Sequence, residues 1–190
     1  MTRNVTNTQS FVLDKSASRF IVRVFAGGML SALGHNPTIA IRDFSGEACF
    51  DPAAPEQTSL RFEIRAASLE VTDDIKSKDR KEIESTMNEK VLASEKYPVI
   101  LFESKASSVN RLGEGRYQVN MNGALSLHGA AGKVPVPAQI TLMGDTLRAS
   151  GEFTLLQTDY GIPLVSVAGG ALKVKDELKF SFDIVARKKE

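Results

Sequence analysis

Arg116-Tyr117-Gln118-Val119-Asn120-Met121-Asn122-Gly123-Ala124-Leu125-Ser126-Leu127-His128 is the stretch that decides the fold. Tyr117, Val119, Met121, Gly123, Leu125 and Leu127 share one parity, while Gln118, Asn120, Asn122, Ser126 and His128 share the other. Successive side chains of a strand point to opposite faces, so this period of two predicts a strand with one buried and one wet face.

The same signal recurs outward in both directions. Leu60, Phe62 and Ile64 alternate with Arg61, Glu63 and Arg65, and Leu178, Phe180, Phe182 and Ile184 alternate with Lys179, Ser181 and Asp183. Turn signals separate such runs at Gly27-Gly28, Asp51-Pro52, Gly113-Glu114-Gly115, Gly144-Asp145 and Gly169-Gly170. The clearest hairpin joins 134–143 to 146–156, with Met143-Gly144-Asp145 near its tip. Pro135 and Pro137 each remove an amide donor from its first arm, which predicts an edge, a bulge or an irregular entry to the sheet there. About eight or nine strands result, enough for a barrel or a sandwich.

One segment departs from the pattern. Residues 72–93 are rich in Lys, Glu, Asp and Ser, contain no Gly or Pro, and predict a helix. Ile83, Met87 and Val91 recur every four residues beside Leu92, with Ile75 two turns earlier, forming a narrow apolar stripe. Thr72-Asp73-Asp74 reads as an N-cap followed by acidic first-turn residues. A lone amphipathic helix in a β chain packs on the sheet or closes one end of a barrel, and the second placement is preferred.

The 190 residues suit one domain over 1–190. Hydrophobic residues make up 42% and charged residues 25%, which fits a globular chain. A net charge of +1 with interspersed signs removes the electrostatic footprint that nucleic-acid binding requires. No apolar run reaches the length of a membrane span. The opening MTRNVTNTQSFVLDKSAS lacks the apolar core of a secretory signal, so the chain as written reads as cytoplasmic. A chain whose leader had been cleaved would read the same, which leaves a periplasmic location open. Cys49 has no partner for a disulfide and reads as a small core residue.

The inventory of chemistry is short. His128 falls at the exit of its strand, where a solvated or backbone-bonded role is the default, and His35 lies in a loop between strands. Two isolated histidines, without a Cys pair or an HExxH helix, do not make a zinc site. No Gly-x-Ser-x-Gly elbow or phosphate-binding glycine loop is present. Asp43, Asp159 and Asp183 could converge as carboxylates, though nothing in their spacing requires it. Neither a cofactor nor a metal is expected. The apolar faces allow either a barrel filled by its own side chains or one that holds a ligand, and alternation does not choose between them.

Several phrases, in order, resemble the YceI-like family of lipocalin-like, polyisoprenoid-binding proteins. They are Leu13-Asp14-Lys15-Ser16-Ala17-Ser18-Arg19-Phe20, then Phe44-Ser45-Gly46, then Ala67-Ser68-Leu69-Glu70-Val71-Thr72 before the charged helix. Tyr97-Pro98-Val99-Ile100-Leu101-Phe102-Glu103-Ser104 follows, then Leu125-Ser126-Leu127-His128-Gly129 with Val134-Pro135-Val136, then Asp159-Tyr160-Gly161-Ile162. Leu33-Gly34-His35-Asn36-Pro37 is similar to a "GH" loop of one branch, with Pro37 where a second histidine often stands. The resemblance runs from about Phe11 to Ala186 and implies an eight-stranded antiparallel lipocalin-like barrel with an apolar pore and a helix beside it. It also implies an isoprenoid ligand such as a quinone or polyprenyl chain, frequent dimerisation, and no catalytic residues.

With that architecture, Phe20, Val22, Phe62, Ile64, Phe102, Val119, Met121, Phe180 and Phe182 are the expected pore lining. Ile83, Met87 and Val91 would close the cavity, and His35 or Arg42 would meet a headgroup at the mouth. Two other readings compete. One is a filled barrel acting through its surface as a homodimeric interaction or stress-response protein. The other is an enzyme using a carboxylate such as Asp159 as base, which needs a polar group with a perturbed pKa inside the pore.

Overall fold

The computed structural model describes residues 8–27, 36–167 and 172–189. The predicted period of two appears as eight antiparallel strands following one another around a closed barrel. The first strand is split into β1 (Gln9–Leu13) and β2 (Arg19–Arg23) by a 3-10 turn at Lys15–Ala17, after which the short β3 (Ala26–Gly27) leaves the barrel. The second is split into β4 (Thr38–Ile41) and β5 (Phe44–Phe50), and the third into β6 (Ser59–Arg65) and β7 (Leu69–Val71). Then come β8 (Val99–Gly113), β9 (Arg116–Leu127), β10 (Ala130–Met143) and β11 (Thr146–Leu156). After the short β12 (Ser166–Val167) and β13 (Leu172–Val174), β14 (Glu177–Lys188) pairs with β11 on one side and with β2 and β1 on the other, closing the barrel. β12, β13 and β3 form a separate three-stranded sheet.

Two serines bridge the splits, where the backbone ladder would otherwise lose its partners. The Ser18 hydroxyl accepts from Val185 N–H at 2.9 Å and donates to the Asp14 carbonyl at 2.7 Å. Across the second and third strands, the Ser68 hydroxyl accepts from Asp43 N–H at 3.0 Å and donates to the Arg65 carbonyl at 2.7 Å. Arg65 N–H in turn donates to the Asp43 carbonyl. The strands bend at these points without abandoning their registers.

In β9, Tyr117, Val119, Met121, Gly123, Leu125 and Leu127 face inward, as their parity predicts. β10 pairs with β9 along its length, but with β11 only from Gln139 onward. Pro135 and Pro137 fall in the one-sided part, so their missing donors cost no ladder bond on the open side. His128 (φ 54°) and Gly129 (φ 79°) form the left-handed turn that joins β9 to β10. Cys49 is not a core residue: Phe44, Ala48 and Phe50 point inward, and the opposite parity leaves Cys49 half-buried on the outer face.

The helix starts later than Thr72. α1 runs Ser77–Thr86 and continues as one wide π turn over Met87–Val91. Thr72 and Asp73 serve the barrel instead. Thr72 N–H donates to the Thr38 carbonyl, and the Asp73 carboxylate accepts from Thr38 N–H at 2.7 Å. Groups committed to the end of β4 cannot also cap a helix. α1 packs by β7, which has no strand partner on its outer side, and Ile83 of α1, with Met87 and Val91 of the π turn, reaches the space inside the barrel. At the β7 edge the Glu84 carboxylate accepts from Val71 N–H at 2.9 Å, satisfying a donor that an edge strand would leave open.

Phe11, Phe50, Tyr117 and Val119 are among the most deeply buried large side chains, each 2% exposed or less. Phe50 and Tyr117 meet edge to face with centroids 5.1 Å apart. These four plug one end of the barrel.

Candidate ligand-binding site

Beyond that plug the barrel is hollow. A cavity of about 580 Å³ begins at Leu13, Ala48 and Met121, each two positions along its strand from a plug residue, and runs to α1 and the small sheet. Its size falls in the range of ligand pockets. Among the described residues, the lining is apolar apart from Thr58, Ser59, Thr86, Gln157, Asp79, Glu82 and Lys173.

Of the residues expected from parity, Phe20, Val22, Phe62, Ile64, Phe102, Met121, Phe180 and Phe182 line this cavity, and Ile83, Met87 and Val91 of the helix segment close over it. Val119 does not. Its side chain points inward but is spent in the plug, where it is fully buried. Arg42 also lies outside the lining: its guanidinium pairs with Glu70 at 2.8 Å on the outer surface. His35 lies outside the described residues.

The aromatic lining is continuous. Phe20 sits 5.5 Å from Phe62 and 6.1 Å from Phe180, centroid to centroid, and Phe62 sits 5.4 Å from Phe44. Phe180 stacks on Phe153 at 4.7 Å with the rings nearly parallel. Phe153 was open to the same parity argument, since Leu147, Ala149, Phe153 and Leu155 share one face of β11 and all line the cavity. Gly123 has a steric role here, because a Cβ at that position would fall inside the Phe102 ring.

Charge is kept outside the barrel wall. The Ser16 hydroxyl and the Arg187 guanidinium hold the Asp14 carboxyl down at about 2, tying β1 to β14. Lys15 lowers Asp43, the Ser10 hydroxyl lowers Glu47, and Arg148 lowers Asp183 through a bond of 2.7 Å. Arg61 bridges Glu63 and Glu103 across neighbouring strands. Asp43, Asp159 and Asp183 do not converge on the cavity; the first and last are held by separate cations, and none belongs to the lining. Burial, with a smaller effect of Asp159, raises the Tyr160 hydroxyl, which also lies outside the lining.

His128 sits beside Tyr97 with centroids 5.0 Å apart, and its Nδ1 is 3.3 Å from the Tyr160 carbonyl, the backbone-bonded role expected for it. Among the described residues, no group of three or more His, Cys, Asp and Glu side chains could hold a metal, and no helix is long and apolar enough to cross a membrane. Also among the described residues, no His, Cys or Tyr lines the cavity. Such a space can take up an apolar molecule and exclude water from it.

The family model for the YceI-like domain matches residues 11–186. No curated protein matches the chain. Among solved structures, Burkholderia cenocepacia BcnA superposes with a TM-score of 0.69 at 21% identity, covering 91% of this chain and 98% of that one. A polyisoprenoid-binding domain from Saccharophagus degradans, implicated in plant cell wall breakdown, gives 0.67 at 13% identity, covering 95% and 99%. The Campylobacter jejuni YCEI protein gives 0.59 at 17% identity, covering 80% and 85%. At these identities the likeness establishes a shared fold.

Proposed function

Since the chain belongs to the YceI-like family, with the family model spanning residues 11–186, we propose that its barrel binds an isoprenoid-type lipid, a quinone or polyprenyl chain, for carriage, storage or sequestration. The observation that carries this reading is the hollow: about 580 Å³ of apolar space inside the barrel, beyond the end that Phe11, Phe50, Tyr117 and Val119 fill. An apolar chain entering it gains about 25 cal/mol for each Å² removed from water. The neighbour from Saccharophagus degradans, a polyisoprenoid-binding domain on the same fold, supports the ligand class. A wholly filled barrel working only through its surface leaves this cavity without a purpose. The protein acts as a binder and not as an enzyme, in keeping with a lining whose carboxylates, Asp79 and Glu82, are exposed side chains of α1.

Native mass spectrometry of the purified protein, followed by organic extraction, tests the reading. A stoichiometric isoprenoid, or uptake of added quinone or polyprenol, is the expected result. An empty protein that refuses both overturns it. Phe62→Asp and Phe180→Asp place a charge in the lining and are expected to abolish uptake in whatever fraction folds. The family resemblance also suggests a homodimer, which sedimentation equilibrium checks directly.

A further inference from the structure

Among the described residues, Thr58 and Gln157 are the two buried polar side chains of the lining; Thr58 spends its hydroxyl on the Pro55 carbonyl, whereas Gln157, only 4% exposed, lies on the same inward parity of its chain segment as Phe153 and Leu155. Gln157 follows β11 and opens a 3-10 turn, Gln157–Tyr160. Its backbone is fully engaged, with N–H donating to the Asp176 carbonyl at 3.1 Å and its own carbonyl accepting from Ile162 N–H at 3.2 Å. Its Nε2 donates to the Lys175 carbonyl at 2.9 Å and lies 3.5 Å from that of Asp176. Backbone carbonyls only accept, so the amide nitrogen must be the end that faces them. The Oε1 is the other end of that amide, and among the described residues no group donates to it. Unlike the enclosed, unpaired atoms of Asp51, Arg80, Asn88 and Ser104, it keeps accessible surface, so an occupant of the cavity that donates to it gains specificity as well as affinity.

The rim repeats this bias. Asp79 and Glu82 can only accept as carboxylates, and Lys173 is the one cationic side chain in the lining among the described residues. Resting on the isoprenoid reading above, we propose that Gln157 Oε1 is the acceptor for the polar end of the ligand, and that the preferred occupant is an isoprenoid chain ending in a hydroxyl. A chain ending in phosphate or carboxylate would bring further acceptors and no donor to Gln157 Oε1.

Calorimetric titration of the full-length protein with farnesol, farnesyl methyl ether and farnesyl phosphate tests this. The alcohol and the ether carry the same chain, but only the alcohol donates. The alcohol is expected to bind about five- to tenfold more tightly than the ether, the worth of one hydrogen bond to a buried acceptor. The phosphate should bind more weakly than either. Gln157→Met keeps the volume and should bring the ratio of alcohol to ether close to one. If Gln157 only braced the Lys175 carbonyl, the variant would weaken both probes alike and preserve the ratio, which overturns the proposal. Equal affinities for alcohol and ether in the unaltered chain overturn it without any variant, so a variant that fails to fold leaves the test intact. Refusal of all three probes would instead bring down the isoprenoid reading and this inference with it.

Discussion

The plugged end and the hollow end of the barrel are made from the same strands with the same alternation, yet they use their inward residues differently. Phe11, Phe50, Tyr117 and Val119 are closed off from solvent and lie outside the cavity lining, with Phe50 and Tyr117 edge to face. Farther along the barrel, Phe20, Phe62, Phe153 and Phe180 cling to the wall and surround open space. Close packing gives stability to the first region, and unfilled apolar surface gives binding capacity to the second.

Substitutions should separate the two roles. Tyr117→Ala or Phe50→Ala opens an enclosed void and is expected to cost about 3–5 kcal/mol, read from the urea midpoint. A cost under about 1 kcal/mol would mean the plug is not the anchor described here. Gly123→Ala forces the Phe102 ring aside, with an expected loss of about 1–3 kcal/mol and weaker uptake of a long-chain ligand. Phe153→Ala removes a half-buried ring that faces space already open. Its stability cost should be nearer 1–2 kcal/mol by the area it buries, about half the plug value, while ligand affinity falls. Equal costs at Phe153 and Phe50 would erase the distinction between the two ends.

Smaller effects belong to the outer wall. The Asp14 carboxyl titrates at about 2 in the folded chain, against an ordinary value of 3.8. The unfolded chain therefore binds that proton more tightly, so the stabilisation is complete above about pH 4 and is lost as pH falls toward 2. Asp14→Asn should flatten this part of the stability profile, measured as urea midpoint against pH. Arg42→Ala breaks only an exposed pair with Glu70 and is expected to change stability by less than about 0.5 kcal/mol and uptake not at all.

Much of this architecture was legible in the chain because a half-buried strand writes its two faces into alternate residues. The limits were physical. Parity tells which way Val119 points but not how far along the barrel it lies, and depth is what separates plug from lining. Thr72 and Asp73 carry the side chains of a helix cap, but the end of β4 claimed them first through Thr38, a contact across 34 residues or more that local spacing does not encode. The splits at Asp14–Ser18 and Arg42–Asp43 were hidden because serine hydroxyls substitute for backbone partners there. Gln157 was missed although its parity with Leu155 was visible, since a glutamine at a strand end ordinarily faces water.

The closing strand has a consequence for how the molecule comes to exist. β14 is the shared neighbour of β11, β2 and β1, so the ring cannot shut until the latest of the described strands has joined. While the ribosome is still making that segment, β1, β2 and β11 each present an unpaired edge, and the aromatic wall stands open to its surroundings. Barrel closure is therefore the long-range, slow step of assembly, and the nascent chain is most in need of protection from its neighbours in the interval just before β14 arrives.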